Sequence, residues 1–381
     1  MPGTPRVAIT LTQCWHRVPG GTATSVERLV DAMAPSERAE LIGVGARGEL
    51  RRPGSWRRSS PPGTWIPPIP IEQLPLPLPV LYDAWARFGR PTVSSATGPV
   101  DLVHLTVPMT PPRDDVPLVA TVHDLFPLTH PEWMTPRGAG LMRSGLESIR
   151  ERARLVMVPT EHVAADCASV GFDPGRVRVV PWGVTPTDPT DDDVARVRRR
   201  YGLGGPYVLF VGTLEPRKNL ALLFQALVQL SRPGITLALV GPAGWGDPLS
   251  GDDAAGVGDV PSPVARLGFV PEADLAALER GAAAFCFPSL AEGFGLPVLE
   301  AMAAGAAVIT SRGTAVGEVA GHGAHLIDPT DPSDLAGALA AVLDEPGYAG
   351  TLRAAGRDRA KEFTWARAAA ATLDVYDEAR A

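Results

Sequence analysis

Residues 288–305 read PSLAEGFGLPVLEAMAAG, and this stretch decides which fold we expect for the chain. A short apolar segment, AFCF at 284–287, precedes it and predicts a strand. The loop that follows carries Glu292, and Pro297 then opens a predicted helix with Glu300 in its first turn. Strand, loop and helix in this order form one unit of a doubly wound sheet, in which ligands bind at the carboxyl ends of the strands.

The start of that helix is a predicted anion site. Its first backbone N–H groups have no partner within the helix, and they lie at the positive end of the helix dipole. Because glycine lets the backbone come close to a ligand, we expect Phe294, Gly295 and Leu296 to bind phosphate. Glu300 would accept hydrogen bonds from two neighbouring hydroxyls, as on a ribose, and Glu292 would face the groups beyond the phosphates. Alternatively, Glu300 stabilises the helix dipole and Glu292 is a solvated loop residue.

A second unit of the same kind is predicted at 207–220, which reads YVLFVGTLEPRKNL. The apolar run predicts a strand, and Asn219 or an adjacent residue is predicted to begin a helix. Arg217 and Lys218 come just before that helix. A planar guanidinium and a compact ammonium at this point can clamp a diphosphate. The alternative for such a pair, taken alone, is a solvated surface.

Two glutamates separated by seven residues within EGFGLPVLE, together with GTLEPRKNL upstream, resemble the donor site of retaining family-four glycosyltransferases with the GT-B fold. The resemblance is clear over 200–330 and looser over 1–185. It implies an α/β protein with two doubly wound, Rossmann-like domains that face a central cleft. It also implies a metal-independent enzyme that moves a hexose from a nucleotide diphosphate sugar to a hydroxyl acceptor, with GDP-mannose or UDP-glucose as the leading donors.

The resemblance assigns roles to individual residues and implies neither a metal nor a cofactor. The catalytic group is His123, Arg217, Lys218 and Glu292. The donor-binding group is Gly20, Gly21, Gly212, Thr213, Val270, Phe294, Gly295, Leu296 and Glu300. The base and sugar of the donor cannot be read from these residues. A polysaccharide, a lipid-linked sugar or a secondary metabolite would all serve as the acceptor.

The beginning of the chain predicts a further strand, loop and helix. Residues 6–11 form the strand, Gly20 and Gly21 lie in the loop, and the helix covers 22–34. Such a glycine pair is equally consistent with an ordinary tight turn.

A later strand at 118–122 leads into His123 and Asp124, at the point where an α/β fold presents catalytic groups. The resemblance implies that His123 contacts the transferred sugar, and we expect Asp124 to orient its ring. The alternative is a histidine whose ring is satisfied by Asp124 or by the backbone.

The length of 381 residues predicts two domains. We place the first at 1–184 and the nucleotide-sugar-binding domain at 185–363. The last helix, 364–381, is expected to cross back to the first domain. Trp182 stands where many relatives have asparagine, so the contacts at the domain crossing are expected to differ.

The composition excludes some classes of partner and compartment. A net charge of −7 argues against general attraction to nucleic acid or membrane. Three widely spaced cysteines predict reduced thiols in a cytoplasmic protein, and we see neither a secretory signal nor an apolar run near eighteen residues. Peripheral contact with the inner membrane face is the alternative location.

Two segments have an ordinary and a functional interpretation. Residues 53–91 contain ten prolines with interspersed tryptophan and arginine, which predicts irregular backbone. This segment is either a surface excursion or a wall beside the acceptor or the membrane, with one short amphipathic helix at 80–89. The acidic triplet 191–193 resembles a metal motif of other glycosyltransferases, but its position at a helix start predicts a solvated cap.

Three rival functions remain open from the residues alone. A sugar-nucleotide epimerase shares the two-domain plan but would not depend on an acceptor. A non-catalytic protein that binds nucleotide sugars would need only the donor residues. A phosphorylase would require a pyridoxal-bearing lysine, for which the sequence has no motif.

Overall fold

The computed structural model describes residues 3–15, 20–48, 65–242 and 263–381. Most of the arginines and part of the prolines of segment 51–91 therefore lie outside the described residues, as does residue 56, one of its tryptophans. The chain divides into two compact units. The first unit combines Met1–Gly183 with Trp365–Ala381, and the second is Val184–Thr364.

The described strands and helices, numbered in chain order, alternate through both units. The strands are β1 (Arg6–Thr10), β2 (Glu40–Gly45), β3 (Ile71–Gln73), β4 (Leu102–Leu105), β5 (Leu118–Thr121), β6 (Leu155–Val158), β7 (Val177–Val179), β8 (Tyr207–Val211), β9 (Thr236–Val240), β10 (Val264–Gly268), β11 (Ala284–Phe287), β12 (Val308–Ser311) and β13 (His325–Ile327). The helices are α1 (Gly21–Met33), α2 (Leu78–Phe88), α3 (Ser94–Thr97), α4 (Phe126–Thr129), α5 (Pro136–Arg152), α6 (Glu161–Ser169), α7 (Asp191–Arg200), α8 (Leu220–Leu230), α9 (Glu272–Gly281), α10 (Leu296–Ala304), α11 (Ala315–Ala320), α12 (Pro332–Asp344), α13 (Pro346–Ala360) and α14 (Trp365–Arg380).

The sheet of the first unit has the order β3-β2-β1-β4-β5-β6-β7 among the described strands, and every neighbouring pair is parallel. Helices cover both faces of such a sheet, so its central strands are mostly apolar. β6, with the sequence LVMV, is buried at every position. The strand order reverses between β1 and β4, and the loops that follow β1 and β5 lead to Gly20 and His123.

The second unit repeats this plan with the order β10-β9-β8-β11-β12-β13, again parallel in the part of the chain that the structure describes. Its strand order reverses between β8 and β11, which pair directly through Ala284↔Val208 and Phe285↔Leu209. These two strands precede the two loops on which the sequence prediction rests. The predicted α/β class with two doubly wound, Rossmann-like domains is therefore confirmed.

Several local predictions need correction. The proline-rich segment was expected to lack regular sheet, yet β3 lies within it and pairs with β2 as an edge strand. Three residues between prolines suffice there, because an edge strand leaves one side of its backbone unpaired. α5 begins at Pro136, where the Thr135 side chain accepts a hydrogen bond from the Gly138 N–H. The acidic triplet does lie in the first turn of α7 and forms part of a capping box with Thr190.

The last helix, α14, is held in the first unit by a buried polar contact. The Tyr376 hydroxyl lies 2.7 Å from Nδ1 of His104, and Thr121 Oγ1 lies 2.8 Å from Nε2. All three side chains are buried. Burial, together with the neighbouring His123, lowers the pKa of His104 to about 3, so its ring is neutral at physiological pH. Because the site is buried, water cannot replace the Tyr376 and Thr121 hydroxyls as partners of the two ring nitrogens.

Two further expectations concern the whole chain. No helix among the described residues is both long and apolar enough to cross a membrane. Cys14, Cys167 and Cys286 are buried as thiols.

We expect Tyr376→Phe to lower the free energy of unfolding of the first unit by about 1–3 kcal/mol, because it leaves a buried ring nitrogen of His104 without its partner. Urea denaturation followed by tryptophan fluorescence would measure this loss. The matched control is Tyr348→Phe, which removes a similar contact of 2.8 Å to Nδ1 of His325 at a half-buried site. Equal costs for the two variants would contradict the prediction.

Candidate active site

The loops after β8 and β11 meet in a buried ion pair. Lys218 Nζ lies 2.5 Å from Glu292 Oε1, and Arg217 Nη1 lies 2.9 Å from Glu292 Oε2. The Lys218 and Glu292 side chains are only 8% and 9% exposed. The structure therefore brings together three of the four predicted catalytic residues, all from the second unit.

Two neighbours complete this arrangement. Arg217 Nε contacts Glu215 Oε2 at 3.1 Å, so one guanidinium bridges two carboxylates. The ammonium of Lys218 lies 4.5 Å from the centre of the Phe287 ring, at the end of β11. We call Glu215, Arg217, Lys218 and Glu292 the charge cluster. It contains two positive and two negative groups, so it is formally neutral.

The charge cluster fixes the protonation of Glu292. Burial alone would raise the pKa of this carboxyl, but Arg217 and Lys218 outweigh it and hold the pKa at about 2. The Ser289 hydroxyl is fully buried and faces the same carboxylate, although it lies outside hydrogen-bond geometry. Glu292 is therefore ionised at neutral pH, which suits it to stabilise positive charge and not to donate a proton.

Asn219 joins three loops at this edge of the sheet. Its backbone has the left-handed φ of 58°, and it is the N-cap of α8, which begins at Leu220. Its side-chain N–H group donates to Pro288 O at 3.1 Å and to Pro329 O at 2.7 Å. These contacts tie the loop after β8 to the loops after β11 and β13, and so hold Lys218 beside Glu292.

The backbone at the start of α10, where the anion site is predicted, is sterically constrained. Gly295 is the N-cap with φ 97°, and a Cβ there would lie 2.6 Å from Val316 Cγ2, so only glycine fits. Phe294 is buried and packs edge-on against Phe363. Leu296 is also buried. The two apolar side chains therefore anchor the turn, and a ligand here would meet backbone groups.

The position of Glu300 corrects the sequence prediction. α10 begins at Leu296, one residue before Pro297, so Glu300 is its fifth residue and lies in the second turn. Behind it, Glu279 of α9 is buried, and its Oε1 has no hydrogen-bond partner among the described residues. Burial, and then the charge of Glu300, raise the pKa of Glu279 well above its usual value. The charge of Glu300 thus contributes to the raised pKa of Glu279 on α9, and Glu300 itself is half-buried.

The other predicted donor residues of the second unit lie at strand ends. Gly212 directly follows β8 with φ 149°, and its N–H donates to Val240 O. Thr213 follows it, and its carbonyl accepts from the Glu215 N–H at 2.9 Å. After β10, the side chain of Val270 is buried while that of Phe269 is 85% exposed. A ligand at Val270 would therefore contact its backbone.

In the first unit, His123 is buried at the end of β5. Its Nε2 lies 2.9 Å from Thr106 O, and its ring lies 5.7 Å from that of Trp182. A carbonyl oxygen only accepts, so Nε2 carries the proton and Nδ1 keeps the lone pair. Burial lowers the pKa of His123 to about 4, against the opposing effect of the Thr106 carbonyl. Asp124 instead accepts from the Phe126 N–H at 3.2 Å, so Thr106, and not the expected Asp124, orients this nitrogen.

At Gly20, near the start of the chain, the structure shows no steric requirement for glycine. Gly20 is the N-cap of α1 with an extended φ of −103°, and Gly21 is the first helical residue. A Cβ at Gly20 would meet nothing within 4 Å. The four preceding residues, 16–19, are outside the described part of the chain.

Sequence reasoning missed two members of the site, Glu215 and Ser289. It predicted no metal site. Glu215 stands two positions before Arg217, a spacing that would have indicated a local partner in a tight turn. Ser289 carried no signal, because its side chain gains a role only when the loops meet. The described ranges contain no cluster of three or more histidine, cysteine or carboxylate side chains able to hold a metal ion.

Two sequence profiles of known families match the chain. The profile described as Glycosyltransferase Family 4 matches residues 19–188, and that described as Glycosyl transferases group 1 matches residues 193–362. The chain is 30% identical over 269 residues to the O-antigen chain mannosyltransferase B of Escherichia coli, covering 68% of this chain and 69% of that relative. It is 32% identical over 284 residues to the MMP alpha-(1->4)-mannosyltransferase of Mycolicibacterium hassiacum, covering 69% and 66%.

The fold is similar to that of solved structures. HepE of Anabaena, solved in complex with UDP and glucose, has a TM-score of 0.70 to this chain, with 98% of this chain and 100% of the other covered. The two are 17% identical, so this likeness concerns the fold.

We expect Asn219→Ala to destabilise the second unit by about 2–4 kcal/mol, because it removes two hydrogen bonds and puts alanine, which tolerates the left-handed region less well than asparagine, at this position. Asn219→Gly loses the same bonds without that strain, so it should cost about 1 kcal/mol less. Chemical denaturation followed by far-UV circular dichroism compares the two variants. A glycine variant no more stable than the alanine variant would refute the backbone contribution.

The charge cluster also predicts a pH dependence. A carboxyl whose folded pKa is about 2, against the ordinary 4.5, adds stability above pH 4.5 and loses it as the pH falls through 2. We expect this contribution to be about 3 kcal/mol and to be absent from Glu292→Gln. Urea denaturation at a series of pH values tests it. The difference between wild type and variant should shrink on acidification, and a constant difference would contradict the assignment.

Proposed function

This chain belongs to the family-four glycosyltransferases of the GT-B fold, and we propose that it transfers a hexose from a nucleotide diphosphate sugar to a hydroxyl acceptor. We propose mannose or glucose as the hexose, because two of its relatives are named mannosyltransferases and a protein of the same fold was solved with UDP and glucose. The proposed reaction retains the anomeric configuration and needs no metal ion.

The observation that carries this proposal is the buried meeting of Arg217 and Lys218 with Glu292. Cleavage of the bond between the sugar and the diphosphate leaves the bonding electron pair, and hence negative charge, on the diphosphate. Two desolvated cations, with the backbone N–H groups near Gly295 and Leu296, are suited to stabilise that charge. No proton needs to be donated to the leaving group, which agrees with a Glu292 that stays ionised.

The remaining residues have complementary proposed roles. Glu292 accepts hydrogen bonds from sugar hydroxyls and stabilises positive charge at the anomeric carbon. Glu300 binds the ribose, and the Nδ1 lone pair of His123 accepts a hydrogen bond from a hydroxyl of the hexose. The acceptor oxygen bonds to the anomeric carbon on the face that the diphosphate leaves, and its proton passes to the departing phosphate oxygen.

The proposal is tested first by binding and then by turnover. UDP and GDP are added separately in a thermal-shift assay, since a ligand that binds only the folded protein raises the melting temperature. UDP-glucose and GDP-mannose are then incubated with the enzyme, with and without a panel of hydroxyl acceptors, in the presence of EDTA. We expect acceptor-dependent release of one nucleoside diphosphate. Conversion of the sugar without an acceptor would establish an epimerase, binding without any turnover a non-catalytic protein, and loss with EDTA restored by manganese a metal-dependent enzyme.

We expect Lys218→Ala to lower turnover roughly a hundredfold, because one charged stabiliser of the leaving group contributes on the order of 3 kcal/mol. Steady-state kinetics on the donor that turns over would measure the change. The control is Lys361→Ala, which removes an exposed lysine paired with Asp358 on α13. Turnover of the Lys218 variant close to that of the control would count against the diphosphate clamp.

A further inference from the structure

Glu215 is the member of the charge cluster to which neither the sequence motifs nor the proposed mechanism gives a role. Its carboxylate is 25% exposed and contacts Arg217 Nε at 3.1 Å. Resting on the proposed function, we propose that Glu215 is a positioning residue that orients Arg217 and sets how tightly the donor diphosphate binds.

The orienting effect follows from the shape of the guanidinium. Glu215 accepts the Nε–H bond and Glu292 accepts an Nη1–H bond, so two edges of one planar group are fixed. The main chain adds a third constraint, because the Leu290 N–H donates to Arg217 O at 2.8 Å. Without Glu215, the Nε–H group loses this acceptor, and the contacts of Nη1 with Glu292 and with the Ala291 carbonyl at 3.5 Å hold the plane of Arg217 less firmly.

The effect on affinity follows from charge. With Glu215 ionised, the charge cluster has no net charge, so its carboxylates offset part of the attraction of Arg217 and Lys218 for an arriving diphosphate. Removal of the Glu215 charge leaves two cations against one carboxylate. Glu215, Arg217 and Glu292 are at most one quarter exposed, so bulk solvent screens these interactions only in part. Glu215 therefore opposes the binding of an anion while it prepares the cation that will contact it.

The side chain of Glu215 can be replaced without breaking the hydrogen bonds that close its turn. The short turn Pro216–Lys218 is closed by main-chain groups of Glu215, whose N–H donates to Thr213 O and whose carbonyl accepts from the Lys218 N–H at 3.0 Å. The side chain makes no part of that closure. Glutamine can still accept from Arg217 Nε but has no charge, whereas aspartate keeps the charge and is too short to hold the same contact.

The experiment compares Glu215→Gln, Glu215→Asp and the charge control Asp358→Asn, whose residue is exposed on α13. Calorimetry measures the affinity for UDP and for GDP at low and high salt, and acceptor-dependent release of the nucleoside diphosphate gives kcat and KM. For whichever nucleotide the wild type binds, we expect Glu215→Gln to bind about fivefold more tightly at low salt, with a smaller gain at high salt. We expect Glu215→Asp to show no gain in affinity but about tenfold lower kcat, because Arg217 loses its orientation. Asp358→Asn should match the wild type in both.

The outcomes separate this inference from the proposed function. If the wild type binds neither UDP nor GDP, the proposed function fails and the role of Glu215 fails with it. If the wild type binds one of them but Glu215→Gln shows an unchanged or weaker affinity, the inference about Glu215 alone is wrong. A change in kcat for Glu215→Gln as large as that for Glu215→Asp would also overturn the inference, because glutamine keeps the contact that is proposed to orient Arg217.

Discussion

The contact between Lys218 and Glu292 is the constraint on which the site depends. Two opposite charges that are almost fully buried are favourable only when each meets its partner at close range, since either one alone would lose its hydration without compensation. They come from loops 74 positions apart in the chain. The pair can form because β8 and β11 are neighbours at the point where the strand order reverses. The sheet topology thus brings the two charged side chains together.

The same contact limits what the site can do. A carboxylate held ionised between two cations cannot serve as an acid, and a histidine whose ring is buried and neutral cannot supply a permanent positive charge. In the proposed mechanism, what remains is fixed charge placed near the reacting bond. This is electrostatic preorganisation, and it depends on the surroundings that keep each charged group in place, such as Asn219 and Glu215, as much as on the charged groups themselves.

The sequence predicted the two units around β8 and β11 well, because apolar runs, glycine turns and the basic pair are all local signals. It placed Glu300 one residue too near the start of the helix, since proline is tolerated at the second helical position as well as at the first. It missed β3 because propensity disfavours a strand among prolines, whereas pairing with β2 at a sheet edge permits one. Ser289 escaped notice because its surroundings exist only once distant segments have come together, whereas the local signal of Glu215, two positions before Arg217, was overlooked.

The first unit is built from two separated stretches of the chain, and its last piece is α14. On the ribosome, about 180 residues of the second unit are made between those stretches, which takes roughly 10 to 35 seconds at ordinary rates of synthesis. During that interval His104 and Thr121 await the hydroxyl of Tyr376. The first unit therefore cannot complete this buried contact until the whole of the second unit has been synthesised.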